Sequence, residues 1–422
     1  GTQENSILID NGSAAAPTDI PGMQAGDFGY SRNIRDLANV APRGGFTWNV
    51  GGGNDFVVRG GTGLYYALPQ TQYTYSPQLF SNMVTASFNN DGRPGFLTDP
   101  TRGIDTFEEA RAAAPPQAAR IFSKDFQNPF TWQSSIGFQK QLNNVTGIEA
   151  DLVHYNMYRD MRTVDPNLVY DPVTGYNRAN ARANPQWGQI VYFLSTGRQN
   201  YTALATGLNR RLNRGMQGGV TYTLMLQMHD DGGASLVNPG ANNQFDYLDG
   251  EYATSTSFQR HTLRLWGVFE LPWGFSTSAT YAFGSGNQFA ATIPTAPFGK
   301  PGQNRLNLAA NGGAAPSINV PQAMADRWDG PMTIASGGVI PRNALLGTPY
   351  HRLDLRLSRD IRLFGRAKLS LIGEVFNAFN HANYTGFFNQ LSATNAATTA
   401  RFGQPSAASI PRQVQLGFRA SW

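Results

Sequence analysis

The ten residues Gln413-Val-Gln-Leu-Gly-Phe-Arg-Ala-Ser-Trp422 decide how the rest of the chain is read. Val414, Leu416, Phe418, Ala420 and Trp422 fall on one side of a two-residue period. Gln413, Gln415, Gly417, Arg419 and Ser421 fall on the other. Such alternation marks a β-strand with one apolar and one wet face. Chain ends usually fray and stay polar, whereas this one closes on an indole. Taken alone, the pattern suits either the last strand of a membrane-spanning barrel or that of a soluble sandwich.

Composition narrows the choice. The chain has 422 residues with a net charge of +5, only 14% charged residues, 46 glycines, 12% aromatics and no cysteine. Its mean hydropathy is -0.35, and no apolar run is long enough for a membrane-spanning helix. A transmembrane barrel escapes that test, because only every second residue of a short strand is apolar. Without cysteine there is no disulfide framework, thiolate metal site or Cys nucleophile. The basic residues are scattered, which argues against nucleic acid as a partner. The opening Gly1-Thr-Gln-Glu-Asn5 lacks the basic and apolar regions of a secretory signal.

Alternating segments recur in pairs. Pro42–Val50 turns through Gly51-Gly-Gly-Asn54 into Asp55–Tyr66, and Thr131–Leu142 through Asn143-Asn144 into Val145–Tyr158. Tyr201–Leu212 turns through Asn213-Arg-Gly215 into Met216–Met228, and Phe258–Glu270 through Pro272-Trp-Gly274 into Phe275–Gly284. Tyr350–Asp360 returns through Phe364-Gly365 as Ala367–Phe379, and Gln413–Trp422 closes the series. That predicts eleven strands of about ten residues, the length that crosses a bilayer at barrel tilt, joined by hairpin turn chemistry. The stretches between hairpins (67–130, 159–200, 229–257, 285–349, 380–412) are far longer than the turns within them. Short turns on one rim and long loops on the other is the asymmetry of an outer-membrane barrel, the short ones periplasmic. The fold expected is therefore all-β, an antiparallel transmembrane barrel.

Strand parity adds a constraint. If the last strand descends to the periplasm, so does the first of eleven, and residues 1–41 then lie on the extracellular side. Single-chain bacterial barrels have even strand numbers and periplasmic termini. Residues 1–41 are accordingly expected as an extracellular loop or the remnant of a preceding barrel segment, and 42–422 as the C-terminal part of a barrel. The rival is a twelfth strand hidden within 1–41.

Several stretches resemble the barrel of TonB-dependent outer-membrane receptors, and within them the Oar-like subfamily. They are Pro42-Arg-Gly-Gly-Phe-Thr-Trp48, Val57-Val-Arg-Gly-Gly-Thr-Gly-Leu-Tyr-Tyr66, Tyr201-Thr-Ala-Leu204, Leu208-Asn-Arg-Arg-Leu-Asn-Arg-Gly215, Val220-Thr-Tyr-Thr223, Gln259-Arg-His261, Phe269-Glu-Leu-Pro-Trp-Gly274, Glu374-Val-Phe-Asn-Ala-Phe-Asn-His381 and Phe418–Trp422. The resemblance runs over 42–422 and implies a barrel of about 22 strands, of which these are the last eleven. It implies energy-coupled uptake of a scarce solute or oligomeric nutrient in a Gram-negative outer membrane. The implied partners are outer-membrane lipid, the barrel-assembly machinery, and an inner-membrane TonB complex acting through a plug. Plug, energy-coupling box and first barrel half are not in this sequence. Phe418 and Trp422 are then membrane anchors and part of the assembly signal.

No metalloprotease, nucleophile-elbow or P-loop motif is present, so no enzyme and no cofactor are expected. His154, His229, His261, His351 and His381 are far apart in sequence, and metal sites want clustered ligands. Alternation puts Arg43, Arg59, Arg260, Arg264, Arg352, Arg356, Lys368 and Arg419 on the wet face with Glu149, Asp151, Glu270, Asp354 and Glu374. They read as a salt-bridged lumen or, more sharply, as a cationic path for anionic solutes. The loop residues Asp230, Asp231, Asp246 and Asp249 offer oxygen ligands without EF-hand spacing, and a solvated loop is the simpler reading. Tyr73, Tyr75, Phe80, Trp187, Asp246 and Trp328 fall in the long loops as candidate ligand contacts, against which stand girdle anchoring and loop packing. A passive twelve-stranded channel and a soluble β-rich binding module are the competing functions.

Overall fold

The computed structural model describes residues 39–53, 55–67, 125–164, 187–231, 252–290, 345–390 and 400–422. It also describes shorter pieces at 4–10, 30–31, 83–89, 94–99, 117–123, 167–171, 176–183, 292–293 and 304–305, and the single residues 36, 92, 106, 109, 112, 185 and 343. Eleven strands form one continuous antiparallel path. They are β1 (Arg43–Asn49), β2 (Phe56–Tyr66), β3 (Phe130–Asn143), β4 (Thr146–Val164), β5 (Trp187–Asn213), β6 (Met216–Asp230), β7 (His261–Leu271), β8 (Phe275–Gly284), β9 (Tyr350–Arg362), β10 (Lys368–Phe376) and β11 (Gln413–Ser421). Each pairs with its sequence neighbours. β1 and β11 have a partner on one side only among the described residues, and both are exposed along their whole length. The sheet is part of a barrel, open at two edges.

Local chemistry sets the tight rim. Asn143 Oδ1 accepts hydrogen bonds from the Val145 and Thr146 amides at 3.0 and 2.9 Å, folding the β3–β4 turn around its own side chain. Arg214 (φ 52°) and Gly215 (φ 72°) are both left-handed, the pair of positive φ values that a two-residue hairpin loop needs to match strand twist. Short turns also join β7 to β8 and β9 to β10, all on one rim.

Register then carries the alternation across the sheet. Val414 lies opposite Val375, Val375 opposite Leu355, and Leu355 opposite Ala279. Val220 faces Leu265, Leu371 faces Phe418, and Phe138 faces Val58. The rows between them pair Thr221 with Arg264, Arg356 with Glu374, and Arg59 with Gly137 and Asp151. Within the bilayer-length part of the strands, Glu149, Asp151, Glu270, Asp354, Asp360 and Glu374 all occupy the polar rows. An ionised carboxylate has no place against lipid.

Rings bound the apolar face at both ends. At the tight-turn rim Trp273, Phe364 and Trp422 are 83%, 82% and 95% exposed. At the other end Tyr66, Phe130 and Tyr158 stack in a cross-strand row. There His154 Nδ1 meets Thr202 Oγ1 at 2.8 Å, and Tyr222 and Tyr281 meet His261 and His351 at 2.8 and 3.0 Å. Two aromatic belts separated by an apolar band are the signature of a membrane-crossing sheet.

Two expectations fail in detail. β4 and β5 run for 19 and 27 residues, well beyond the 9–11 or so that span a bilayer. Residues 159–200 are therefore mostly strand where a loop was expected, and Trp187 opens β5. The reason is a packed layer outside the membrane. Gln117–Ser123 pairs in parallel with the start of β5, and Phe122, Phe126, Met161, Val191 and Phe193 close a buried cluster there. In lipid the apolar face needs no cover, whereas in water it must be buried. Within 1–41, Glu4–Asp10 pairs with Met83–Asn89 and Tyr30–Ser31 with the end of the 117–123 strand. Neither adds to the edge at β1, so no twelfth strand joins the sheet among the described residues.

Replacing Phe418 by Lys puts a cation on the lipid face, at a cost of up to ~2–4 kcal/mol at mid-bilayer and less toward the rim. In the full-length protein, Phe418→Lys should lower the heat-modifiable, membrane-inserted fraction seen by gel, while Gln415→Lys on the polar rows leaves it near wild type.

Candidate functional site

The polar face is built from ion pairs laid across strands. Arg59 on β2 donates from Nη2 and Nε to the two carboxylate oxygens of Asp151 on β4, at 2.7 and 3.2 Å. The pair therefore spans β3, which lies between them. The β3 residue in that row is Gly137, where a Cβ would collide with the Asp151 carboxylate and the Ala150 carbonyl. Glycine is what lets the bridge cross. Glu149 stands 3.9 Å from Arg59 and leans over Gly207 on β5, where a Cβ would approach it to 3.0 Å. Gly219 on β6 similarly makes room for Trp266 and Asn209, which would lie 2.6 and 2.7 Å from a Cβ.

At the other side of the sheet Arg352 pairs with Asp354 at 2.9 Å, Arg356 with Glu374 at 3.4 Å, and Lys368 with Asp360 at 2.6 Å. Asp354 also accepts the Asn377 amide at 2.8 Å, fixing the chain where it leaves β10. Asp360 takes the Ser370 hydroxyl at 2.6 Å. These pairs are about a quarter to a half exposed, so each adds little to stability. Their effect is to neutralise and order the wet wall.

Other expected members of this face make different contacts. Arg264 donates to the Leu263 and Phe283 carbonyls at 3.1 and 2.8 Å. The Arg43 guanidinium lies 4.3 Å over the Tyr65 ring, and Arg419 stands exposed on edge strand β11. Arg260 is outside the strand, one residue before β7, with its guanidinium 5.8 Å from the Phe258 ring. Tyr73, Tyr75, Phe80, Asp246 and Trp328 lie outside the described residues.

Toward the long-loop end, Tyr155 and Tyr201 stack on the polar rows at 5.2 Å. Above them Gln199 donates to Asp160 at 2.8 Å, and Arg162 and Asp231 form a buried ion pair at 3.7 Å. Tyr252 sits between the Arg198 guanidinium, 4.5 Å from its ring, and the stacked His229. Burial pushes the pKa of the Tyr252 hydroxyl above the usual tyrosine range. Sequence reading placed Asp231 in a solvated loop, yet its carboxylate also accepts the Arg198 amide and anchors the top of the wall. A cavity of about 240 Å³ opens by the β3–β4 turn among Asp55, Lys140, Asn144, Glu149 and Arg211. No group of three or more metal-ligating side chains occurs among the described residues.

The sequence profile of the outer membrane beta barrel domain family matches residues 9–415. The chain belongs to that family. Its place is the Gram-negative outer membrane, and the apolar rows of this barrel domain face lipid. Among solved structures it is similar to the outer membrane transporter YddB from Escherichia coli, with a TM-score of 0.50 and 10% identity over 90% of this chain and 40% of that one. It is also similar to the ferric enterobactin receptor PfeA from Pseudomonas aeruginosa, a Q482A mutant in complex with enterobactin (TM-score 0.47, 13% identity, 91% and 41% covered). The FrpB iron transporter from Neisseria meningitidis matches at a TM-score of 0.45 with 10% identity, 90% and 39% covered. These likenesses concern the fold, and the chain spans about two fifths of each of these three structures. No curated protein matches the chain.

If Gly137 exists to let the Arg59–Asp151 bridge cross β3, a β-branched side chain there should be worse than losing the bridge. Gly137→Val should destabilise the full-length barrel by ~1–3 kcal/mol through overpacking, and Arg59→Gln by less than ~1 kcal/mol. Urea unfolding in lipid vesicles measures both, and equal losses would contradict this role.

Proposed function

We propose that this chain forms the C-terminal half of the barrel of a TonB-dependent transporter of the Oar-like group, which takes up a scarce solute across the outer membrane with energy supplied from the inner membrane. The observation that carries the reading is the open sheet. Both edge strands, β1 and β11, run toward the tight-turn rim, so joining them to each other would make the only parallel pair along the path. An antiparallel closure needs an odd number of further strands between them, and eleven more give a barrel of about 22, the size of plugged transporters. The motifs at 42–66, 201–223, 259–274 and 374–381 support the subfamily.

On this reading Arg43, Arg59, Glu149, Asp151, Arg264, Arg352, Asp354, Arg356, Glu374 and Arg419 line the lumen, with Arg260 at its mouth. Paired charges and glycines give a smooth polar wall against which a plug can seat and a solute can pass. Tyr73, Tyr75, Trp187, Asp246 and Trp328 are the proposed ligand contacts on the long-loop side. Phe418 and Trp422 hold the last strand at the periplasmic interface and are read by the assembly machinery.

Energy coupling separates this function from passive diffusion. Cells expressing the full-length protein should accumulate a solute from a panel of labelled ferric chelates and oligosaccharides, and lose that uptake to background once a protonophore dissipates the proton-motive force. Uptake that persists unchanged after dissipation would make the barrel a passive channel.

A further inference from the structure

Charge is distributed differently on the two faces of the sheet. Arg59, Arg352, Arg356 and Lys368 on the polar rows each meet a carboxylate. Lys140, Arg210 and Arg359 lie instead in the apolar rows. Lys140 is opposite Phe56 and Ile148, Arg210 opposite Gly218, and Arg359 opposite Phe275 and Leu371. None of the three is ion-paired among the described residues, and the apolar rows hold no carboxylate over the bilayer-length part of the strands.

Their positions repeat. Each stands three residues before the end of a strand that descends to a tight turn: β3 ends at Asn143, β5 at Asn213 and β9 at Arg362. Two of them lie against a ring of the neighbouring strand: Lys140 Nζ is 5.6 Å from the Phe56 centroid, and the Arg359 guanidinium 4.9 Å from that of Phe275. Trp273, Phe364 and Trp422 mark the same rim as interfacial. Three residues are about 10 Å along a tilted strand and less in depth, within reach of a snorkelling Lys or Arg stem.

We propose that Lys140, Arg210 and Arg359 form a cationic belt on the lipid-facing side of the tight-turn rim, which binds the phosphates of anionic phospholipids in the periplasmic leaflet. Charge complementarity selects this occupant. The belt is three uncompensated cations at headgroup depth, and a net-negative headgroup offers phosphate without the competing ammonium of a zwitterionic one. Arg59, Arg352, Arg356 and Lys368 on the polar rows have no such need, because the protein supplies their anions. This inference holds whether or not transport is energy-coupled.

The test reconstitutes the full-length protein in vesicles of equimolar phosphatidylethanolamine and phosphatidylglycerol, and identifies retained lipids by native mass spectrometry after detergent extraction. Wild type should retain phosphatidylglycerol in excess of phosphatidylethanolamine. Each Lys140→Gln, Arg210→Gln or Arg359→Gln change should weaken that preference about five-fold. The polar-face triple variant R264Q/R356Q/R419Q should leave it intact. Retention of the two lipids in their bulk ratio by wild type would overturn the proposal without any variant. So would an undiminished preference in the folded belt variants.

Discussion

A peptide group placed in hydrocarbon has no water to bond, so every N–H and C=O of a spanning segment must find its partner inside the sheet. Nine of the eleven strands here meet that demand on both sides, through continuous antiparallel ladders. β1 and β11 meet it on one side. Leaving a row of strand amides open to lipid costs several kcal/mol per group, far more than any side-chain contact in the structure returns. The open edges are therefore the strongest statement the fold makes about what must surround it, and the side-chain chemistry on either face is arranged within that constraint.

Given the ladders, a period of two sorts everything else. Carboxylates of the bilayer-length strands all fall on the polar rows, where Asp151, Asp354, Asp360 and Glu374 each meet a cation from the same, an adjacent or the next-nearest strand. The Arg59–Asp151 bridge shows how sequence, backbone and charge interlock. Two strands carry the charges, and the strand between them carries the one residue that does not block the contact. On the lipid side, rings mark both interfaces, and the tyrosine–histidine pairs at the upper end satisfy each other's polar tips. Among the described residues, Lys140, Arg210 and Arg359 place cations on the apolar rows near the lower rim, where side chains reach headgroups.

Much of this was legible in the sequence because alternation is a local signal. Val220, Leu224, Leu265 and Phe418 declare their face through neighbours two residues away, and the turn residues Asn143, Gly215 and Gly274 declare the hairpins. What failed to show was non-local. The long reach of β5 depends on a parallel partner at 117–123 and on Phe122 and Phe193 stacking at 4.7 Å, contacts that no periodicity announces. Asp231 looked like one of several loop acids until Arg162 was brought against it. Asp360 lies in phase with Asp354 and Arg356 but near a strand end, where alternation loses its contrast. Gly137 reads as a weak strand residue in isolation, and its purpose appears only when β2 and β4 are aligned on either side.

Amide hydrogen exchange on the full-length protein in lipid bilayers tests the central claim most directly. If other strands complete the barrel, the amides of 43–49 and 413–421 that point away from β2 and β10 exchange as slowly as those in β7 and β8. Fast exchange at alternate residues of both edge strands, with slow exchange between them, would mean that the edges stay open in the membrane and that the barrel is not completed there.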